Sequence, residues 1–363
     1  MAADLTPRSA LYETILGQPE VIRTVLRDAR DTAARAAEAL AGARRIFLTG
    51  TGTSSHAAIV GEHLLRLAGC DAYATTNFEF VTYPRPVGPD DALVAISHRG
   101  GKRYGAAAID RARAAGLRVV GLTGQGSPMR GPDIIIETAP SERSSTHTAS
   151  YTAHLAALAL IAARVGEREG TDVGPLRAAL GRLPDLVTTV LAREDLIVPV
   201  AEALAARGRV TLAGAGPNAA TAREGALKIK ESSYLSAEGV EVETALHGYL
   251  QAIEAGDIAV VVAAHGPALE RTGDLVRALE VLGAWVVVIA DERAVDALPA
   301  PRETARARTV IPYPAVPEAL SPVLAVVPLQ LLAAHTAMRR GTDADSFRAD
   351  DPIYKRVNES YAL

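Results

Sequence analysis

The chain has 363 residues, about twice the ~150 that serve as a guide for one domain, so two α/β domains or one large barrel are both open. Hydrophobic residues at 48% against 22% charged exclude a disordered chain. Lys+Arg 38 against Asp+Glu 42, a net charge of −4, speaks against a protein that lives on nucleic acid or anionic membrane, and one cysteine, Cys70, excludes a disulfide framework, an all-cysteine zinc site and a CxxC pair.

The opening MAADLTPRSALYE has no basic segment leading into an apolar run, so no secretion signal is read there. The longest apolar stretch, 319–334, is interrupted by Ser321, Pro322, Pro328 and Gln330, which speaks against a membrane span. A cytoplasmic globular protein is the expectation.

Along the chain, short β-branched runs alternate with longer Ala/Arg-rich stretches of helical spacing, the α/β signal. RIFLTG (Arg45–Gly50), DALVAIS (Asp91–Ser97) and 117–124 predict strands, with a helix over 103–115. These strand runs are apolar without alternation, as suits strands buried on both faces of a parallel sheet. The order then recurs in RVTLAG (Arg209–Gly214), 257–263 and 284–291. Gly50 to Asp91 is 41 residues and Gly214 to Asp257 is 43; Asp91 to Leu117 is 26 and Asp257 to Ala284 is 27. The predicted fold is therefore α/β, two tandem doubly wound subdomains with parallel sheets flanked by helices, about 164 residues apart. A helical stretch, 174–207, links them. A last long helix over 317–339 precedes a polar tail, 341–363, which is either disordered or ordered over a site. The expected division is 13–195, 196–340 and the tail 341–363.

In doubly wound sheets ligands sit at the carboxyl ends of the strands. After the first strand come Thr51, Gly52, Thr53, Ser54, Ser55 and His56, either a neutral cradle for a phosphate monoester at a helix N-terminus or a plain capped turn. After the second come Ser97, His98, Arg99, Gly100, Gly101, Lys102 and Arg103, either an anion site or a solvated basic turn. The second repeat's Gly214-Ala215-Gly216-Pro217-Asn218-Ala219 matches GxGxxA, a weak dinucleotide fingerprint, and the stretch 222–233 reads as helix, so no acidic residue is expected at the end of a following strand. On that helix Glu224 and Glu231 are seven apart and share a face, with Lys228 four residues after Glu224, as in a surface ion pair. His247 follows Glu231 by sixteen residues. Spacing leaves two readings: a carboxylate and an imidazole for proton transfer on a sugar, or a solvated helix and a loop histidine.

Longer segments carry a resemblance. Glu13-Thr14-Ile15-Leu16-Gly17-Gln18-Pro19, the loop from Gly52 to Ala57, the run Glu224-Gly225-Ala226-Leu227-Lys228-Ile229-Lys230-Glu231-Ser232-Ser233-Tyr234, His247-Gly248, 327–333 and Gly341-Thr342-Asp343-Ala344-Asp345 resemble the sugar isomerase (SIS) domain family, and within it the isomerase half of glucosamine-6-phosphate synthase. The resemblance covers nearly the whole chain. It implies that Glu231 is the base moving a proton between C1 and C2. It also implies that His247, donated by a neighbouring subunit of a homodimer with a shared active site, assists ring opening. Gly52, Thr53, Ser54 and Ser97 would hold the sugar phosphate, Glu224 would be a second carboxylate in the site, and Lys355 would match the family's tail lysine. No cofactor and no metal are implied.

The departures matter as much. No glutaminase segment precedes Glu13 and residue 2 is Ala, so a glutamine-dependent reaction is not expected. The family's S-Q-S-G-E-T loop is replaced by Ser97–Lys102, so Arg99 or Lys102 would take over from neutral hydroxyls, and extra residues separate Arg348 from Lys355. The expectation is an enzyme acting on an amino-sugar or ketose 6-phosphate by proton abstraction next to the open-chain carbonyl, as an isomerase or deaminase. The alternatives are dehydration of N-acetylglucosamine 6-phosphate, deglycation of a fructosamine 6-phosphate, and a non-enzymatic sugar-phosphate sensor.

Overall fold

A computed structural model describes residues 9–301 and 308–361. The opening residues 1–8, part of the stretch read for a leader, and the last two residues of the tail lie outside them. The chain forms two compact units interleaved in sequence. One, here the N-unit, comprises Gly17–Glu142, Ala149–Pro184 and Asp350–Leu363; the other, the C-unit, comprises Met1–Leu16, Arg143–Thr148 and Asp185–Ala349.

The N-unit holds a parallel sheet of β1 (Arg45–Gly50), β2 (Ala72–Thr76), β3 (Asp91–Ser97), β4 (Arg118–Thr123) and β5 (Ile134–Glu137), in the order β2-β1-β3-β4-β5. The C-unit holds β6 (Arg209–Gly214), β7 (Ser236–Glu241), β8 (Ile258–Ala263), β9 (Trp285–Asp291) and β10 (Thr309–Tyr313), also parallel, in the order β10-β9-β8-β6-β7. Each sheet has the same doubly wound order, first strand beside second and third, so the predicted duplication is real. The strand order reverses between β1 and β3, and again between β6 and β8, and at such switch points a crevice opens at the carboxyl ends of the strands.

The apolar strand runs are buried on both faces. In the N-unit Phe47, Leu93 and Val119 pack with Phe80, Ala108, Ile109 and Ala112 from the helices Asn77–Thr82 and Arg103–Ala114, while helices Arg30–Leu40, Thr53–Leu67 and Ala149–Glu169 also pack against the sheet. In the C-unit Val261, Val286 and Val288 pack on Leu275, Val276 and Leu279 of the helix Leu269–Val281. Two helices, Ala149–Glu169 and Glu318–Arg340, are long and apolar enough to cross a membrane, but 89% and 94% of their most apolar windows lie buried inside the protein. Pro328 and Gln330 do not interrupt the second, which runs as one α-helix from Pro322 to Arg340.

The four strands the sequence reading missed, β2, β5, β7 and β10, are the edges of the two sheets. Their patterns are short and mixed, with Thr76, Glu137, Glu241 and the edge-tolerated Pro312, so no apolar run announces them. Strand β7 also corrects the expectation of no acidic residue after the glycine-rich loop: Glu241 ends it. Its carboxylate accepts from the backbone N–H groups of Glu243 and Thr244 at 2.8 and 2.9 Å, capping the helix Val242–Leu246.

A second duplicated device sits at the start of the third strand of each repeat. Asp91 is fully buried and accepts from Arg44 and Arg45, with the N–H of Gly88 on the same carboxylate. Asp257 accepts from Arg207 and Arg209, with the N–H of Glu254. Burial pushes the Asp91 carboxyl up, but the hydrogen bonds from Arg45, Arg44 and Gly88 outweigh it and hold it at about 2. A carboxyl depressed in the folded state stabilises the fold above its unfolded value, near ~4, and loses that contribution as pH falls toward its folded value. Asp91→Asn should therefore cost about 2 kcal/mol in urea denaturation at pH 7. The gap from the native chain should narrow at pH 3, and an undiminished gap there would show that the ion pair is not its source.

Candidate active site

In the N-unit the switch-point crevice is built by two turns. Gly50 ends β1 where a Cβ would fall 2.3 Å from the backbone of Ser54, and Gly52 takes φ +58°, ψ −130°, a conformation suited to glycine. Together they bring Thr53, Ser54 and Ser55 into the first turn of the helix Thr53–Leu67, each half-buried. The Ser55 hydroxyl donates to the carbonyl of Gly52 at 2.7 Å, and Asn77 donates to the Thr51 hydroxyl at 3.1 Å. From the neighbouring β3, the Ser97 hydroxyl accepts the N–H of Gly100 at 3.1 Å. Lys102, half-buried, precedes the helix Arg103–Ala114.

Burial, and then the nearby Arg99 guanidinium, pull the Lys102 ammonium below its ordinary value. Among the described residues no carboxylate pairs with Lys102. A lysine ammonium beside hydroxyls at helix N-termini is a setting that favours an anion. The sequence-predicted Gly52, Thr53, Ser54, Ser97, Arg99 and Lys102 thus come from the two strands that flank one switch point.

In the C-unit the helix Pro217–Ser233 lies between the sheet and the helix Pro322–Arg340. Its insertion depends on two glycines. A Cβ at Gly225 would come within 2.6 Å of Leu329 and 3.0 Å of Leu212; one at Gly239 of β7 would meet the backbone of Ala222 and Arg223 at 2.4–2.5 Å. The helix is therefore a core element and not the solvated helix that spacing allowed. Glu224 is fully buried and Lys228 is 1% exposed, whereas the Glu231 side chain is 21% exposed. The Lys228 ammonium sits 3.4 Å from Glu224 and 2.6 Å from Glu231.

This corrects the surface ion pair expected for Lys228: the lysine is the buried hub of the cluster, placed by i,i+4 and i,i+3 spacing. The spacing was visible, but charge periodicity is the same for a solvated and a buried face. Only the glycine contacts and the packing of this helix between the sheet and the helix Pro322–Arg340 distinguish them.

The last turn is pinned by the segment that follows the helix Pro322–Arg340. Tyr234 ends the helix at φ 58°. Its hydroxyl donates to the Asp343 carbonyl at 2.6 Å and accepts the N–H of Arg348 at 3.2 Å, and the Arg348 guanidinium lies 4.2 Å over its ring. The Thr342 hydroxyl donates to the Ser232 carbonyl at 2.8 Å.

The remaining predicted residues sit elsewhere. His247 ends the helix Val242–Leu246 with its side chain 72% exposed and its Nε2 2.8 Å from Glu243. Hydrogen bonds from Arg271 and then His247 hold the Glu243 carboxyl at about 2. Lys355 lies exposed on the helix Pro352–Glu359, within the N-unit.

A family model for the SIS domain matches residues 39–164 and 203–339. The glutamine–fructose-6-phosphate aminotransferase (isomerizing) of Pyrococcus horikoshii is 31% identical over 340 residues, 92% of this chain and 56% of that protein. The chain thus spans about half the length of this curated relative. Two solved structures share the fold. The C-terminal domain of glucosamine-fructose-6-phosphate aminotransferase from Francisella tularensis gives a TM-score of 0.85 at 23% identity, covering 93% of this chain and 98% of that one. Glucosamine-6-phosphate deaminase from Thermotoga maritima gives 0.71 at 19% identity, covering 93% and 97%.

Removing the hub of the charge cluster should be more costly than removing an exposed ion-pair partner. Lys228→Met removes the ammonium that the fully buried Glu224 carboxylate faces, and breaking a buried pair costs about 3–5 kcal/mol. Equilibrium urea unfolding of the variant should show a loss of that size; a loss below about 1 kcal/mol, the range of a surface pair, would contradict the buried arrangement.

Proposed function

Because the chain belongs to the SIS domain family, we propose that it is an enzyme that abstracts a proton next to the open-chain carbonyl of an amino-sugar or ketose 6-phosphate, in an isomerase- or deaminase-type reaction. The observation that carries this reading is the Glu224–Lys228–Glu231 cluster, in which one carboxylate alone reaches partial exposure. The names of the Pyrococcus horikoshii relative and the Thermotoga maritima fold neighbour, which concern fructose 6-phosphate and glucosamine 6-phosphate, agree with this substrate class.

Charge accounting assigns the roles. With both carboxylates ionised and Lys228 protonated the cluster carries one net negative charge; a proton taken by Glu231 makes it neutral. Glu224, fully buried, balances Lys228 and leaves Glu231 as the group that gains and loses the proton. Glu224 is in this reading a positioning residue. Glu231 removes the hydrogen from the carbon beside the carbonyl, the C–H electron pair forms the carbon–carbon double bond, and the carbonyl oxygen takes up the negative charge as an enediolate or enaminol. The hydroxyl proton on the deprotonated carbon's oxygen passes to the former carbonyl oxygen. Return of the proton from Glu231 to the former carbonyl carbon then leaves the new carbonyl one carbon along and completes an isomerisation. A positioned general base contributes about 10²–10⁴-fold to such proton transfer.

Phosphate recognition is assigned to Thr53, Ser54 and Ser97 with the backbone at Gly52, helped by Arg99 and Lys102. Lys102, which no carboxylate pairs among the described residues, supports this assignment, since a dianionic ligand would supply a counter-charge. Lys355 is retained as the tail lysine. His247, exposed and oriented by Glu243, is available to a neighbouring chain, in keeping with a homodimer that shares its active site.

Glu231→Gln keeps size and hydrogen bonding but cannot accept the proton. Its kcat should fall by about 10²–10⁴ with little change in KM, and solvent deuterium should enter C1 or C2 with the native chain only. Retention of more than about a tenth of kcat would assign the base elsewhere. Product NMR across glucosamine 6-phosphate, its N-acetyl form, fructose 6-phosphate plus ammonia and fructosyl-amine 6-phosphates identifies which bond breaks after proton removal.

Mixing a Glu231→Gln chain with a His247→Ala chain should restore part of the activity in heterodimers. No recovery after demonstrated subunit exchange would mean that each site is made by one chain.

A further inference from the structure

The two repeats carry the same crevice, and only one is furnished for an anion. In the C-unit the turn after β6 repeats the backbone of the turn after β1. Gly214 would place a Cβ 2.2 Å from the Asn218 carbonyl oxygen, and Gly216 takes φ +53°, ψ −128°. The N–H groups of Asn218 and Ala219 close on the carbonyls of Ala215 and Gly216, as those of Ser54 and Ser55 close on Thr51 and Gly52. The side chains differ throughout. Thr53, Ser54 and Ser55 become Pro217, Asn218 and Ala219; Ser97, Arg99 and Lys102 become Ala263, His265 and Ala268. Every hydroxyl and both Arg/Lys charges are gone.

A carboxylate has come in from another part of the C-unit. Glu318, on the short turn before the helix Pro322–Arg340, lies against both crevice turns: a Cβ at Gly266 would fall 2.6 Å from its carboxyl carbon and Oε2, and one at Gly216 3.6 Å from its Oε1. The turn is tethered there. Asn218, at the position of Ser54, donates its amide to the Ser321 hydroxyl at 2.8 Å, and that hydroxyl donates to the Glu318 carbonyl at 2.7 Å. Among the described residues no hydrogen bond or ion pair engages the Glu318 carboxylate itself. Burial pushes it up, opposed by His265.

We propose that the Glu318 carboxylate occupies the second repeat's phosphate-type seat, so that this crevice is closed to phosphorylated ligands and the helix bearing Glu224, Lys228 and Glu231 carries an internal carboxylate at its N-terminus. A carboxylate is favoured at that end by the helix dipole. The arrangement makes two alike crevices unequal: the first takes an anion from solution, the second carries its own.

The test is chemical rescue with inorganic phosphate. Native chain, Glu318→Ala and Glu318→Gln are melted in phosphate and in chloride at matched ionic strength. Glu318→Ala vacates the seat, and phosphate should raise its Tm by a few degrees more than it raises that of the native chain. Glu318→Gln fills the seat without charge and should show only the native response. Equal phosphate effects on native chain and Glu318→Ala, or an excess as large with Glu318→Gln, would overturn the proposal.

Should Glu318→Ala not melt cooperatively, Glu318→Ser takes its place. Amide shifts of Gly216 and Gly266 then locate the effect: they should move with phosphate only in the vacated variants, and movement in the native chain would show the seat open. The native response to phosphate reports on the first repeat's crevice separately, so its absence would count against that assignment while the difference between variants still decides this one.

Discussion

The turn that ends the first strand of each repeat is the constraint from which the rest follows. Gly50 and Gly214 lie so close to the next helix that a methyl group would strike its backbone, and Gly52 and Gly216 take the same positive-φ conformation within a few degrees. A side chain at the first pair is excluded by contact and at the second by conformation. With the turn so defined, the first strand delivers its helix N-terminus to the carboxyl edge of the sheet, beside the third strand, in both halves. The two Asp–Arg clamps, Asp91 with Arg44 and Arg45 and Asp257 with Arg207 and Arg209, hold the opposite ends of the same strand pairs. Strand pairing, crevice and helix start are thus set twice by the same few contacts.

Upon this common frame the repeats have specialised by side chain. The N-unit keeps hydroxyls and cations at its crevice. The C-unit instead places charge along its first helix, where an ammonium and one carboxylate are taken out of water and a second carboxylate is left partly exposed. Desolvating such charges is unfavourable unless each finds a partner. The helix meets that condition by its own spacing, since Lys228 reaches Glu224 at i−4 and Glu231 at i+3. An apolar replacement of the set would pack at less electrostatic cost, which is why a buried group of this kind points to chemistry rather than to stability.

How far the fold was legible follows from burial. The six strands read from sequence are the central ones, whose two buried faces demand continuous apolar runs; β1, β3 and β6 match the expected segments residue for residue. The edge strands face solvent on one side and carry mixed residues, so nothing in their composition separates them from turns. At the candidate site, the glycine- and hydroxyl-rich loops were legible because backbone geometry restricts residue choice there. Lys228 was not read as buried, because an i,i+4 Glu–Lys pair looks the same whether water or a leucine-rich helix lies beside it. Neither was Glu318, which reaches its crevice from about a hundred residues further along the chain, a juxtaposition that no local pattern encodes.

The tail motif has a mechanical explanation within the C-unit. Asp345 accepts the N–H groups of Ala10 and Leu11 at 2.9 Å each, capping the helix Ala10–Leu16, while Ser144 and Thr146 donate to the Ala344 carbonyl. Two residues earlier, Asp343 receives the Tyr234 hydroxyl. One five-residue segment therefore ties the start of the described chain to the end of the helix that bears Glu231. Tyr234 holds a left-handed conformation that is unfavourable for a residue with a Cβ, by about 1 kcal/mol or more. It is compensated by two hydrogen bonds and the guanidinium over its ring. Strain offset in this way, three residues from a partly exposed carboxylate, fixes where the helix stops. A helix whose N-terminus is set by Gly216 and whose C-terminus is set by Tyr234 has little freedom to slide. Glu231 is thus positioned by contacts at both ends of the helix that carries it.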